Sequence, residues 1–188
     1  GFVVSAFYNQ INDYYYQFNT GLYAEAHGDH FDISTDDDGL PIYKYTQEDV
    51  RLYGFESEFI YKLNDQFKTT VFADYINAKL DDGDYLPRIP PMRLGAHLDY
   101  QQHSYAAKLS VSHYFDQKDV AEGETTTKGY TMIDANFNYY VDGVGDDLVI
   151  FAKGQNLLNE DARVHSSFLK GVAPLPGRGF SLGVRGSF

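Results

Sequence analysis

Two histidines and several carboxylates lie close together near the start of the chain, in the stretch EAHGDHFDISTDDDG. His27 and His30 are three residues apart, and their acidic neighbours include Glu25, Asp29 and Asp32. Imidazole nitrogens and carboxylate oxygens are ligands that zinc accepts in four-coordinate sites. The spacing allows both rings to lie on one side of a turn, with a carboxylate completing the shell. The pattern predicts a site for a divalent metal, and the alternative is a hydrated acidic loop that binds ions only loosely.

Three residues outside this stretch are further candidates for contact with a metal ion. His97 and Asp99 are two residues apart in an alternating segment, so they are expected to share one face of a strand. They form either a transit or binding pair for the ion or a hydrogen-bonded pair on a polar wall. His165 lies in a long connection, where it either approaches the metal from another side or is an ordinary loop histidine.

Other chemistries find little support in the sequence. There is no cysteine to act as a nucleophile, and the adjacent pair His165-Ser166 cannot form a catalytic triad. A calcium loop starting at Asp32 would put Asp37 where glycine is required and Tyr43 where the bidentate glutamate belongs. We therefore predict that the chain is not an enzyme and carries no prosthetic group.

Composition indicates what kind of structure must position these residues. Asp and Glu number 27 against 15 Lys and Arg, a net charge of -12, which argues against a nucleic-acid partner. Mean hydropathy is -0.42, yet the chain contains 17 Tyr and 14 Phe. Chains that are polar on average but rich in aromatic residues are typical of transmembrane β-barrels, which have an apolar lipid face and a polar lumen.

Alternation with a period of two dominates the chain and predicts eight amphipathic strands. In YTMIDANFNYYV, which starts at Tyr130, apolar side chains alternate with polar ones, and the same holds from Met92 to Gln101. The predicted strands are 2–13, 47–62, 66–80, 92–101, 105–116, 130–141, 147–157 and 178–188. The predicted fold is all-β, a transmembrane antiparallel up-and-down β-barrel, with residues 1–188 as one repeated segment and outer-membrane lipid around it.

The predicted connections alternate strictly between long and short. They are 14–46, 63–65, 81–91, 102–104, 117–129, 142–146 and 158–177. In a meander, alternate connections fall on the same end, so one end carries four long loops and the other carries tight turns such as Asn64-Asp65 and Asp142-Gly143. Outer-membrane barrels show this asymmetry, with the long loops outside the cell.

The chain ends GFSLGVRGSF, an alternating strand with Phe188 at its terminus. This resembles the C-terminal signal by which the barrel assembly machinery recognises bacterial outer-membrane barrels. A periplasmic C-terminus puts the four long connections outside the cell, which agrees with their lengths.

Four motifs resemble the C-terminal part of TonB-dependent outer-membrane receptors. They are RLYGFESE from Arg51, LPRIPPMR from Leu86, KGQNLLN from Lys153 and PGR from Pro176 before the last strand. The resemblance implies a 22-stranded barrel, an N-terminal plug and a TonB complex as partner. The chain is then expected to be the C-terminal portion, with the plug and the TonB box absent from it. An autonomous eight-stranded structural or adhesive barrel is the alternative from another class.

The stretch VHSSFLKGVAPLPGR from Val164 is similar to the last loop of the zinc-uptake branch of that family. The resemblance implies uptake of Zn²⁺ or another divalent metal as transported substrate, with the His- and Asp-rich loop capturing the ion. A receptor for siderophore iron or haem is the close alternative.

Overall fold

The regular structure of the protein is one antiparallel sheet, seen in a computed structural model that describes residues 1–36, 38–141 and 148–186. In that part of the chain the sheet has nine strands, in the order β2-β1-β3-β4-β5-β6-β7-β8-β9. They are β1 Phe2–His27, β2 His30–Ser34, β3 Leu40–Lys62, β4 Phe67–Leu80, β5 Arg93–Gln102, β6 Tyr105–Tyr114, β7 Tyr130–Tyr140, β8 Val149–Gln155 and β9 Gly179–Arg185. The same residues include no helix long and apolar enough to cross a bilayer.

The prediction of a loop over 14–46 is wrong. β1 and β3 continue as a paired ribbon well past residue 13, from Tyr14 opposite Glu48 to Asn19 opposite Tyr43, and β2 adds a short third strand at the end. Shifts in pairing after Ile11 and after Asn19 interrupt the ladder without ending it. On one face of this extension the rings of β1 lie opposite polar residues of β3, as in the pairs Tyr14–Glu48, Tyr16–Thr46 and Phe18–Lys44. Neither face of the ribbon is therefore apolar across both strands, unlike the lipid face of the rest of the sheet. We call residues 14–49 the outer ribbon.

The remaining strands agree with the predicted segments and divide their side chains between two faces. Cross-strand pairing aligns one apolar row, in which each residue is substantially exposed. The row includes Phe59, Val71, Leu98, Leu109, Phe137, Ile150, Leu182 and Val184. The opposite face carries charged and polar residues, among them Lys68, Asp99, Lys108, Asn136 and Lys153. A sheet with one lipid face and one wet face requires this separation.

Tight turns close the end of the sheet opposite the outer ribbon. The Asn64 side-chain oxygen accepts hydrogen bonds from the backbone N–H of Gln66 and Phe67, at 2.9 and 2.8 Å. This self-contained turn confirms the one predicted at Asn64-Asp65. The predicted turn Asp142-Gly143 lies outside the described residues.

The sheet is open in the part of the chain that the structure describes. β9 pairs with β8, and β1 pairs with β2 and β3, whereas no ladder joins β9 to β1. The alternative in which eight strands close into an autonomous barrel is therefore not met. An open sheet is consistent with a portion of a larger barrel, because among the described residues each outer edge of the sheet has no strand paired to it. Phe188, the predicted assembly signal, lies outside the described residues.

A small core lies where the polar face meets the long connection 81–92. Val50, Ala78, Leu80 and Leu86 are almost fully buried there, packed by Tyr14, Tyr16, Leu52 and Ile89. The backbone N–H of Leu86 donates to the carbonyl of Ala78 at 3.0 Å, so this connection folds back onto β4. The LPRIPP motif thus anchors one long connection against the sheet wall.

Candidate metal-binding site

The predicted metal ligands lie on the hairpin at the tip of the outer ribbon. Glu25 pairs with Asp32 across β1 and β2, and His27 pairs with His30. Gly28 adopts a φ of 67° as the first residue of the two-residue turn, a conformation that suits glycine. Side chains two apart on a strand, and those directly opposite, share one face. The hairpin therefore gathers two imidazoles and two carboxylates on one side.

The distances within this cluster show how closely the donors approach. The His27 Nε2 atom lies 3.1 Å from Glu25 Oε2 and 3.9 Å from Asp32 Oδ2. His30 Nε2 lies 3.9 Å from the same Asp32 oxygen, and the two imidazole centroids are 6.3 Å apart. Asp32 thus faces both rings. Asp29 lies on the turn, fully exposed, with its Oδ1 atom 3.9 Å from His30 Nδ1.

These donors lie near one another without forming a finished site. Bonds from zinc to nitrogen or oxygen are about 2.0–2.2 Å, so the donor atoms of a tetrahedral site lie about 3.4 Å from one another. The separations of 3.1 Å from His27 to Glu25 and 3.9 Å from each histidine to Asp32 lie on either side of that value. Across the described ranges, no group of three or more His, Cys, Asp or Glu residues is arranged to hold a metal ion. The side chains of His27 and His30 are more than half exposed, so rotation is sterically free.

His97 and Asp99 lie on the polar face of β5, as predicted, but each has partners on neighbouring strands. His97 Nδ1 lies 3.1 Å from Ser110 Oγ, and the ring packs against Phe72 at a centroid distance of 5.0 Å. Asp99 lies 3.9 Å from the ammonium groups of both Lys68 and Lys108. Two cations beside one carboxylate disfavour a divalent metal there. The two side chains are therefore part of a polar wall, in which His97 is hydrogen-bonded to Ser110 and Asp99 lies between two lysines.

His165 is buried, with only 2% of its surface exposed, inside the long connection 156–178. Its Nδ1 atom lies 2.7 Å from Thr127 Oγ1 and 3.3 Å from Lys170 Nζ, and its Nε2 atom lies 3.2 Å from Glu124 Oε1. The last contact is an electrostatic approach without hydrogen-bond alignment, because Nε2 has no hydrogen-bond partner among the described residues. His165 therefore contacts the connection 115–129 and its own connection, away from the hairpin ligands.

Glu124 is the centre of this buried cluster, and sequence reasoning missed it. Burial by itself would raise the pKa of the Glu124 carboxyl, but the neighbouring His165 and Lys170 lower that pKa to about 2. The carboxylate also accepts the backbone N–H of Arg88 at 3.1 and 3.3 Å and that of Ala121 at 3.3 Å. Glu124 is 36 residues from Arg88 and 46 from Lys170, and no local pattern announces contacts at such separations.

The NLLN motif forms the neck of the connection 156–178. Asn156 and Asn159 both have positive φ, 47° and 58°. The Asn156 amide donates to the carbonyls of Glu160 and Pro176 at 2.9 and 3.0 Å, and Asn159 Oδ1 accepts from the Arg178 N–H at 3.0 Å. The two side chains tie together the start and the end of a long loop, which explains why asparagine occurs at both positions.

Comparison with known proteins now assigns this sheet to a family. A family model described as "TonB dependent receptor-like, beta-barrel" matches residues 1–157, well over half of the chain. The chain belongs to the TonB-dependent receptor family. It is accordingly a β-barrel chain of the bacterial outer membrane, and its all-β antiparallel fold is confirmed.

Solved TonB-dependent receptors share this fold over almost the whole chain. "Copper transporter OprC" is 20% identical, with a TM-score of 0.75 over 96% of this chain and 27% of its own. The "Ferric-Catecholate import receptor Fiu from K12 E. coli" in closed form is 18% identical, with a TM-score of 0.58 over 96% of this chain and 24% of its own. The receptor in the "FpvAI-pyocin S2 complex" is 13% identical, with a TM-score of 0.59 over 97% of this chain and 24% of its own. The chain spans about a quarter of each.

In a TonB-dependent receptor the polar face of the sheet lines the lumen, and the long connections lie at the outer end. The hairpin cluster is then at the outermost point of the chain, and His97 and Asp99 lie on the lumen wall below it. The structure thus separates the predicted metal ligands into three places: the hairpin, the lumen wall and the buried loop cluster around Glu124.

Proposed function

We propose that the chain forms part of a TonB-dependent uptake receptor for zinc or another divalent metal, in which the hairpin captures the ion. The observation that carries this proposal is the shared face of His27, His30, Glu25 and Asp32, two nitrogen and two oxygen donors at one exposed tip. Divalent ions of the zinc type accept such a mixed set. A fold relative that transports copper supports a metal cargo within this family.

The acidic surroundings add a second, less specific attraction. Asp36 and Asp38 follow the hairpin, and Glu48 and Asp49 lie on the adjoining strand. Their combined field concentrates cations near the outer end and speeds encounter. The remaining parts of the receptor, which would contact the TonB complex, contribute whatever else the cargo needs. Zn²⁺ is the transported cargo in this proposal, and the receptor carries no resident prosthetic group.

Removing the two hairpin imidazoles tests the proposal in the full-length receptor. His27→Ala/His30→Ala is expected to weaken zinc binding by about tenfold or more, because both nitrogen donors are lost. Calorimetric titration with zinc measures the change. His103→Ala, in a short connection at the opposite end of the sheet, is the matched control and should bind as the parent does. Equal zinc affinity in the double variant and the parent would remove the hairpin from the site.

A second pair of variants separates coordination from the diffuse acidic field. Glu25→Gln/Asp32→Asn removes the two carboxylates that share a face with the imidazoles, whereas Asp36→Asn/Asp38→Asn removes the same charge a few residues away. Coordination predicts a large loss of affinity in the first variant only. Equal losses in both would mean that the tip gathers cations without binding them specifically.

Iron in a chelated form is the competing cargo, favoured by the likeness to a ferric-catecholate receptor. Growth on zinc or on a ferric siderophore as the limiting nutrient separates the two. If the siderophore competes for uptake and zinc does not, the zinc assignment is lost although the family assignment stands.

A further inference from the structure

We propose that the three long outer connections, 81–92, 115–129 and 156–178, form one rigid body that Glu124 holds together and that loosens as a unit when Glu124 is lost. We call these segments the three-loop cluster. Each of these segments leaves the sheet and returns to it separately, between different pairs of strands. The contacts between them show a single polar interior.

The first argument is the position of one carboxylate in contact with all three segments. Glu124, which belongs to 115–129, accepts the backbone N–H of Arg88 from 81–92 at 3.1 Å. It also accepts a hydrogen bond from Lys170 Nζ of 156–178 at 3.2 Å. Only 10% of its side chain is exposed. A buried carboxylate that satisfies donors from two other segments leaves unpaired buried polar groups when it is removed, which is costly.

Each pair of segments is also joined by a contact that does not involve Glu124. Gln117 donates to the carbonyl of Ile89 at 2.9 Å, joining 115–129 to 81–92. Lys170 donates to the carbonyl of Thr125 at 2.7 Å, joining 156–178 to 115–129. The Arg88 guanidinium lies 4.0 Å above the centroid of the Phe168 ring, joining 81–92 to 156–178. Each of the three segments is therefore joined to both of the others without the help of Glu124.

The cluster contacts the outer ribbon in two ways. Leu86 of 81–92 packs beside Tyr14 and Tyr16 of the ribbon in the small buried core, whereas the hydrogen bonds to the ribbon are long. Arg88 Nη2 reaches the carbonyl of Gln17 at 3.5 Å, and Asn19 reaches the carbonyl of Gly123 at 3.4 Å. Both distances are at the limit of a hydrogen bond. Tyr43 also approaches Phe168 edge-on, with ring centroids 5.5 Å apart. The hydrogen bonds that join the three segments to one another are shorter than those to the ribbon, so loss of Glu124 is expected to loosen the three segments together without loosening the ribbon.

Limited trypsin digestion of the folded full-length receptor tests this arrangement, because each segment contains cleavage sites. They are Arg88 in 81–92, Lys118 and Lys128 in 115–129, and Arg163, Lys170 and Arg178 in 156–178. In Glu124→Gln, cleavage in all three segments should accelerate together by about tenfold, since a buried charged hydrogen-bond centre is lost. Mass spectrometry of the fragments assigns each cut.

Two controls keep the result interpretable. Glu122→Gln removes an exposed carboxylate two residues away and should leave every cleavage rate unchanged. Lys44, in the outer ribbon, reports general unfolding, and its cleavage should not change in Glu124→Gln. If Glu124→Gln does not fold, as judged by heat-modifiable migration on gels, Lys170→Met makes the same prediction with Arg163 and Arg178 as the remaining sites in its segment.

Three results would overturn the proposal. Faster cleavage confined to 115–129 would mean that the loops move independently. Unchanged rates in all three segments would mean that Glu124 does not hold the cluster. Faster cleavage that includes Lys44 would mean that the variant loosens the whole outer end.

Discussion

Among individual residues, Glu124 and His165 show best why residue type is an insufficient guide to function. His165 looks like a free loop histidine in the sequence, yet it is almost completely buried beside Thr127 and Lys170. Its environment depends on packing between segments about 40 residues apart, which no spacing rule reveals. By contrast, the facing of His27 and His30 follows from local sequence, because a two-residue turn leaves the flanking residues directly opposite each other.

The pH dependence of stability should report the Glu124 carboxylate. Its pKa in the folded chain is about 2, against an ordinary 4.5, so folding favours the charged form. The stabilisation is therefore complete above pH 4.5 and is lost as the pH falls towards 2, with a total of about 3 kcal/mol from the size of the shift. Thermal unfolding of the parent and Glu124→Gln in detergent should show a constant difference above pH 4.5 that shrinks below it. A difference that is already shrinking between pH 7 and pH 5 would implicate another group.

Among the elements, β3 shows which features can be read from sequence and which cannot. Its lower half alternates cleanly between lipid and lumen, and the sequence predicts a strand there. Its upper half, Leu40 to Asp49, faces water on both sides and has the pattern of a loop. The alternation that reveals a membrane strand reports its two solvents, so it vanishes where the strand leaves the bilayer although the hydrogen-bonded ladder continues.

The glycine of RLYGFESE provides a test at this scale. A Cβ on Gly54 would overlap the carbonyl oxygen of Tyr75 and lie 2.8 Å from the Phe7 ring. Gly54→Ala should push β3 away from β4 and destabilise the sheet by about 1–3 kcal/mol. Gly171→Ala is the matched control, because nothing lies within 4 Å of a Cβ at that position. Urea unfolding of the reconstituted receptor compares the two variants. Similar midpoints would show that β3 and β4 can separate enough to admit the methyl group without loss of stability.

For the whole molecule, the two faces of the sheet determine its orientation in the membrane. The apolar face contacts lipid and the polar face contacts water. The family and the outer-membrane location follow from motifs that can be read without the structure, whereas the open edges can be seen only in the strand pairing. The cargo is a property of the complete receptor, of which the chain spans about a quarter of the length seen in solved relatives.

An arginine placed on either face should report the bilayer. Leu109→Arg puts a charge on the lipid face in the middle of β6 and should cost about 2–4 kcal/mol. Asn138→Arg puts the same side chain on the polar face of β7 and should cost little. Folding into lipid vesicles, followed by tryptic protection, measures both. Equal tolerance would contradict the assignment of faces.

The length of β1 has a consequence for reach. The strand has 26 residues, and about 10 are enough to cross a tilted path through the bilayer. At about 3.3 Å per residue, the remainder extends some 30–40 Å beyond the membrane surface, depending on tilt. The hairpin at the end of this strand is thus held well above the lipid headgroups. Any molecule approaching from the medium, whether an ion, a chelator or an antibody, meets this tip before it meets the mouth of the barrel.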